Sequence, residues 1–212
     1  MILPDSFGLY FITDRKLTKK TIMIDVASAL RAGVRIIQYR EKELSTKEMY
    51  QEASALKELT EENNAILIIN DRIDIALAVN ADGIHIGQDD MPFEKARELL
   101  GKEKIIGLTV HNIEEVTLGE VLGADYFGIS PIFSTTTKRD AGKPTGLEFI
   151  KEVAKKTKIP FVAIGGINYD NLEAVLVAGA RNVAVISAII TKDDVEAECR
   201  KFMRKIATGQ PD

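Results

Sequence analysis

Gln38, Arg40 and Lys42 occupy alternate positions in the segment IIQYREK. On a strand that spacing puts two cations and an amide on one face, with Tyr39 and Glu41 on the other. Such a set suits a phosphate or pyrophosphate, gripped by a guanidinium fork and an ammonium point charge. The same residues also describe a solvated strand end running into a charged helix start.

A second set lies in AILIINDRIDIAL, where an apolar run stops abruptly at Asn70, Asp71 and Arg72. Asn or Asp at this point caps a helix readily, which accounts for one of the two. Alternatively, Asp71 ligates a hard cation while Asn70 faces a polar ligand. The segment ADGIHIGQDDMP then supplies Asp89 and Asp90, either of which fits a helix cap with Pro92 in the first turn. If Asp71 and the Asp89–Asp90 pair leave adjacent strands at one rim, they suit Mg2+, which takes one or two protein carboxylates and completes its shell with water and substrate phosphates. His85, inside the same segment, reads as a hydrogen-bonded interior residue.

Further along, Thr109 and His111 share parity in IIGLTVHN. His111 reads equally as an acid–base group or as the residue before an Asn112 cap. The long hydroxyl-rich stretch SPIFSTTTKRDAGKPTG carries Lys138, Arg139 and Lys143 and reads as a loop that folds over a phosphorylated ligand. Gly165–Gly166 and Ser187 close two later apolar runs, where backbone can approach a phosphate.

Positioning these sets requires strands that end at a common rim. Eight short apolar runs are legible: Leu9–Thr13, Arg35–Arg40, Ala65–Ile69, Gly83–Ile86, Ile105–Thr109, Tyr126–Ile129, Phe161–Ile164 and Val183–Ile186. Their nearly continuous apolar character fits a parallel sheet covered on both faces. Between them lie helical patterns, such as Met49, Ala53, Leu56 and Leu59, or Val195, Cys199, Phe202, Met203 and Ile206. Ser45 with Glu48, Thr145 with Glu148 and Asn112 with Glu115 mark helix starts, while Gly33, Gly101, Gly123 and Gly179 mark helix ends. Eight βα units predict an α/β fold, a single (β/α)8 TIM barrel over residues 1–212, with a doubly wound open sheet as the alternative. In a barrel, function sits at the C-terminal strand ends, where all these sets fall.

The composition suits a globular enzyme or binding protein: of 212 residues, 45% are hydrophobic and 28% charged. A net charge of −4 argues against a general nucleic-acid binder. One cysteine, Cys199, excludes an internal disulfide framework and reads as a packed, inert thiol. No apolar run long enough for a membrane span is present, and MILPDSFGLYFITD lacks the basic start of a signal peptide, so a cytoplasmic protein is expected.

Taken together and in order, YFITD, QYREK, NDRIDIALAVNADGIHIGQDD, GADYFGISPIFSTTTK, VAIGGI and VAVISAI resemble the thiamine-phosphate synthase family, from about residue 9 to residue 190. The resemblance implies a (β/α)8 barrel that joins hydroxymethylpyrimidine pyrophosphate to thiazole phosphate, or its carboxylated form, and requires Mg2+. It implies that the segment Gln38, Tyr39, Arg40, Glu41 and Lys42, with Asn70, Thr109 and Lys138, binds the pyrimidine pyrophosphate. Asp71 and Asp90 would hold Mg2+. Thr135, Thr136 and Thr137 would meet the thiazole, and Gly166, Ile186 and Ser187 its phosphate. Arg40, Lys42 and Lys138 are then the charge-neutralising catalytic groups.

The family mechanism breaks the C–O bond to pyrophosphate early, so the enzyme must neutralise the leaving group, align the thiazole nitrogen and exclude water. Two departures stand out: Thr109 where the motif often has Ser, and Ser134 where the loop often has Pro. Thr109 keeps the hydroxyl. A thiazole tautomerase of the same superfamily, or a non-catalytic phosphate-binding barrel, is the alternative. The partners expected are small phosphorylated molecules, not nucleic acid or membrane, with a homo-oligomer left open.

Overall fold

The computed structural model describes Leu3 and residues 6–137 and 142–209. Lys138 and Arg139 therefore lie outside the described residues. Among those described, eight strands alternate with helices. They are β1 (Leu9–Ile12), α1 (Ile22–Ala32), β2 (Ile36–Tyr39), α2 (Thr46–Glu62), β3 (Ile66–Asn70), α3 (Ile73–Ala78), β4 (Gly83–Ile86), α4 (Phe93–Leu100), β5 (Ile105–Val110), α5 (Ile113–Leu122), β6 (Tyr126–Ile129), α6 (Gly146–Lys156), β7 (Phe161–Ile164), α7 (Leu172–Val177), β8 (Asn182–Val185), α8 (Ser187–Ile190) and α9 (Val195–Thr208). All neighbouring strands are parallel, and β8 pairs back onto β1, closing a (β/α)8 barrel. The open-sheet alternative is excluded by that closure. Among the described residues no helix is long and apolar enough to cross a membrane.

Strand alternation divides the apolar residues into two cores. Phe11, Ile37, Leu67, Ile69, Ile84 and Phe127 face the helices, and Tyr10, Ile12, Ile36, Ile68, Ile105, Tyr126, Val162 and Ala184 fill the barrel. Burial of both faces explains why the strands read as continuous apolar runs. On α9, Val195, Cys199, Phe202 and Ile206 are buried as the helical spacing requires. Burial pushes the Cys199 thiol up to about 12, so it stays protonated and unreactive.

The helix signals were mostly correct. Ser45 and Glu48 form a complete capping box on α2, and the Asn112 side chain accepts from the Glu115 N–H on α5. Gly33 and Gly123 end α1 and α5 in the left-handed conformation. Thr145 corrects its expected role: it sits at the cap position of α6 but makes no side-chain cap bond. Its hydroxyl instead donates to the Pro131 carbonyl at 3.1 Å, tying the helix start to the loop after β6. β8 begins one residue earlier than expected because Asn182 anchors it; its Oδ1 accepts from the Phe7 and Gly8 N–H groups at 2.7 and 3.1 Å.

Candidate active site

One cavity opens at the C-terminal ends of the strands. Its lining includes Gln38, Arg40, Lys42, Asn70, Asp71, Asp89, Asp90, Thr109, His111, Thr135, Thr137, Gly166, Ile186 and Ser187. The sets read separately in the sequence thus share one rim, as a barrel demands. Thr136 is exposed and does not line the cavity.

On β2, parity works as expected. Gln38, Arg40 and Lys42 turn inward, and Tyr39 and Glu41 turn outward. The Tyr39 hydroxyl donates to Glu52 Oε2 at 2.8 Å. Glu41 therefore meets no ligand with its side chain; it organises the loop instead. Its Oε1 accepts from the N–H groups of Lys42, Glu43 and Leu44, and its Oε2 receives Arg15 Nε at 2.6 Å. Burial works to raise its pKa, but Arg15 and the backbone donors outweigh that and hold Glu41 below the usual range. The carboxylate is thus charged and fixes the turn that presents Arg40 and Lys42. Arg40 is anchored in turn: Nη1 donates to Asp14 Oδ2 at 3.0 Å, and its N–H donates to Thr13 Oγ1 at 2.9 Å. Thr13 and Asp14 were not singled out in the sequence, although they directly follow β1 within the YFITD segment.

Asn70 and Asp71 are neighbours, so strict alternation would aim them at opposite faces. Asp71 breaks the alternation with a φ of 61°, a left-handed conformation that Asp adopts more readily than most residues. Both side chains consequently reach the cavity. Neither caps α3, whose cap position is Arg72 with no side-chain cap bond. The side chains of this polar triplet therefore do not cap α3. Arg72 itself points away from the cavity and braces α3 against α2. Its Nη2 donates to Thr46 Oγ1 at 2.9 Å and to Asp74 Oδ2 at 2.5 Å.

Asp90 likewise does not cap α4, whose cap position is Pro92. Its Oδ2 accepts from the Gly87 N–H at 2.6 Å, turning the carboxylate back toward Asp71. Burial raises the Asp90 pKa, the Gly87 N–H opposes this, and the carboxylate of Asp71 raises it further. Lys42 Nζ stands 2.5 Å from Asp71 Oδ2. Two carboxylates held together against their own repulsion fit a divalent cation, which removes the conflict. Among the described residues no group of three or more His, Cys, Asp and Glu gathers elsewhere as a metal cage. The donor set is two carboxylates, with the remaining positions left to water or a phosphate.

His111 combines its two sequence readings. It lines the cavity and also precedes the Asn112 cap. Glu115 Oε2 lies 3.0 Å from its Nδ1 and accepts its N–H at 2.7 Å.

Across the cavity, Gly165 and Gly166 both have positive φ, at 103° and 64°. Ile186 has left the strand and occupies the cap position of α8, so the first N–H groups of that short helix are free of helical partners. The floor carries residues that sequence reading missed, Tyr10 and Tyr126, with His85 hydrogen-bonded in the interior as expected. Their parity with Gln38, Thr109 and Gly128 was the available signal.

The chain matches the family described as thiamine monophosphate synthase over residues 9–189. It is 53% identical to a thiamine-phosphate synthase from Methanosarcina barkeri, over 96% of this chain and 92% of that one. A thiamine-phosphate synthase from Syntrophomonas wolfei is 50% identical, over 95% and 97% of the two chains. Among solved structures, a thiamine phosphate pyrophosphorylase from Pyrococcus furiosus superposes with a TM-score of 0.89 at 40% identity, covering 97% of this chain and 98% of the other.

Proposed function

The chain belongs to the thiamine monophosphate synthase family, and from that premise we propose how its own residues divide the work. The activity is the family's: hydroxymethylpyrimidine pyrophosphate and thiazole phosphate are joined to give thiamine phosphate and pyrophosphate. One observation carries the assignment of roles. A single cavity has cations and paired carboxylates on one side and a double glycine with a helix start on the other.

On this reading the pyrimidine pyrophosphate lies over β2, β3 and β5. Gln38, Asn70 and Thr109 hold its ring and linker, and Arg40 and Lys42 take its negative charge. Lys138, outside the described residues, is assigned the same charge-neutralising role from the family resemblance alone. Tyr39 and Glu41 serve this substrate through the backbone they position. Asp71 and Asp90 would hold Mg2+, which when bound adds Lewis-acid neutralisation of the pyrophosphate oxygens. Gly166, Ile186 and Ser187 take the thiazole phosphate on backbone N–H groups, with Thr135, Thr136 and Thr137 in the loop above it. No covalent nucleophile is required. As the C–O bond breaks, charge accumulates on the pyrophosphate, where the cations already stand, and the aminopyrimidine carries the positive charge left behind. The two sites hold the thiazole nitrogen in line with the reacting methylene. The reading places a single barrel domain in the cytoplasm.

A tautomerase in the same fold needs no pyrophosphate side, so the carboxylate pair and the cations of β2 support the synthase roles. The metal assignment is tested without turnover, by calorimetric titration of inorganic pyrophosphate with Mg2+ present and with it chelated. Mg2+ is expected to tighten binding by about tenfold or more, roughly 1.4 kcal/mol. Equal affinity in both buffers would remove the metal from Asp71 and Asp90.

A further inference from the structure

The loop between β7 and α7 continues the double-glycine wall of the cavity, and two asparagines clasp it. Asn171 stands at the cap position of α7 but makes no side-chain cap bond to that helix. Its side chain turns back along the chain instead. Nδ2 donates to the Gly166 carbonyl at 3.0 Å, and Oδ1 accepts from the Asn168 N–H at 2.8 Å. Asn168 closes the other half of the clasp, its Oδ1 accepting from the N–H groups of Asp170 and Asn171 at 2.9 and 3.2 Å. The partners settle the orientation of the Asn171 amide. A backbone carbonyl only accepts and a backbone N–H only donates, so exchanging Nδ2 and Oδ1 breaks both bonds at once.

In a trans peptide the carbonyl and the following N–H point in opposite directions. Gly166 and Ile167 line the cavity, and Asn171 does not. A Gly166 carbonyl drawn out to Asn171 therefore turns the Ile167 N–H inward. Among the described residues no hydrogen bond takes up that N–H or the N–H of Gly166. The Ile167 side chain is buried in the core between barrel and helices, which pins the far end of this peptide. The near end has no such anchor, because Gly165 and Gly166 tolerate conformations closed to other residues. The Asn171 amide is what holds the plane of the peptide.

We propose that Asn171 is a positioning residue for the phosphate side of the cavity: it keeps the Gly166 carbonyl out of the site and aims the Ile167 N–H at the thiazole phosphate. The inference rests on the synthase reading of this side and goes beyond it, since that reading gives neither residue a role. Without the amide the peptide is free to rotate. A flipped peptide sets a carbonyl oxygen against the phosphate oxygens, where a donor stood. The effect is confined to one substrate, because the cations and carboxylates of the pyrimidine side stand on β2, β3 and the loop after β4.

The test varies each substrate in turn for the native protein, Asn171→Ala and Asn168→Ala, with a thermal melt of each. In Asn171→Ala, KM for thiazole phosphate should rise by about tenfold or more, as for loss of one hydrogen bond to a charged group. KM for the pyrimidine pyrophosphate should stay within about twofold and kcat should change little, as when uniform binding is lost. Asn168→Ala opens the same turn but leaves the bond from Asn171 to Gly166, so it should lower the melting temperature and keep both KM values within about twofold. That contrast separates aiming the peptide from holding the loop. An equal rise in both KM values of Asn171→Ala, a loss confined to kcat or to the melting temperature, or the same KM shift in Asn168→Ala overturns the proposal. A second measurement needs no folded variant. In 15N-labelled native protein titrated with inorganic phosphate, the Ile167 amide proton should move downfield and saturate; an Ile167 signal that stays in place overturns the proposal as well. A native protein that makes no thiamine phosphate sinks the synthase reading instead, and the phosphate titration still decides whether the Ile167 N–H is a phosphate donor.

Discussion

Asp71→Asn should lower kcat/KM by about a thousandfold while the protein stays folded, because on the proposed assignment the change removes a metal-holding charge and little else. Loss of several kcal/mol of charge neutralisation at the leaving group corresponds to a factor of that order. The structural cost is small for two reasons. Asp71 makes no cap bond to α3, so no helix start is lost. Its φ of 61° is one that Asn adopts as readily as Asp. The contact with the half-exposed Lys42 is an ion pair at the rim and contributes about 1 kcal/mol. Steady-state kinetics and a thermal melt of the same preparation provide the check. Retained activity with a lowered melting temperature would mean that Asp71 serves the fold rather than the reaction.

Gly166→Ala should raise KM for thiazole phosphate by about tenfold or more and leave the pyrimidine side nearly unchanged. At a φ of 64° a Cβ is strained, and here it also has nowhere to go. It would lie 2.5 Å from the Ser134 carbonyl oxygen and 2.8 Å from Phe133 Cβ. Those residues begin the loop after β6, which is held to β7 by Ile132 N–H donating to the Ile164 carbonyl and Phe133 N–H to that of Gly165. The substitution therefore pushes the base of the loop away from the proposed phosphate site. Left-handed strain and overpacking together cost about 2–4 kcal/mol, a fall of roughly 4–16 °C in melting temperature for a chain of this size. Kinetics that vary each substrate in turn reveal the split. An equal loss on both substrates would place Gly166 in the general packing of the rim instead.

All eight strands were legible because both their faces are buried, so apolar runs mark them without reference to periodicity. The anion face of β2 was legible for the related reason that alternation is strict within a strand. At Asn70–Asp71 that rule fails: the left-handed turn at Asp71 brings both neighbours to one cavity, and no composition rule distinguishes this from a helix cap. Asp90 carried the same ambiguity between cap and ligand, and its carboxylate folds back onto Gly87 rather than forward onto α4. Thr145 looked like a cap, yet its hydroxyl is taken by Pro131, a tertiary partner fourteen positions away. The polar floor was the least visible feature. Tyr10 and Tyr126 look like ordinary core aromatics in the sequence, and only barrel closure brings their hydroxyls together with His85. The glycines that make room for them, Gly107 and Gly128, carry no local signal, since what they avoid lies on neighbouring strands.

The most direct test of synthase chemistry in this cavity is product formation. Purified protein is mixed with hydroxymethylpyrimidine pyrophosphate, thiazole phosphate and Mg2+, and thiamine phosphate is followed by mass spectrometry alongside released pyrophosphate. The two products should appear in equal amounts, and omitting either substrate should abolish thiamine phosphate. Folded protein that yields no thiamine phosphate with both substrates and Mg2+ present would contradict the assignment.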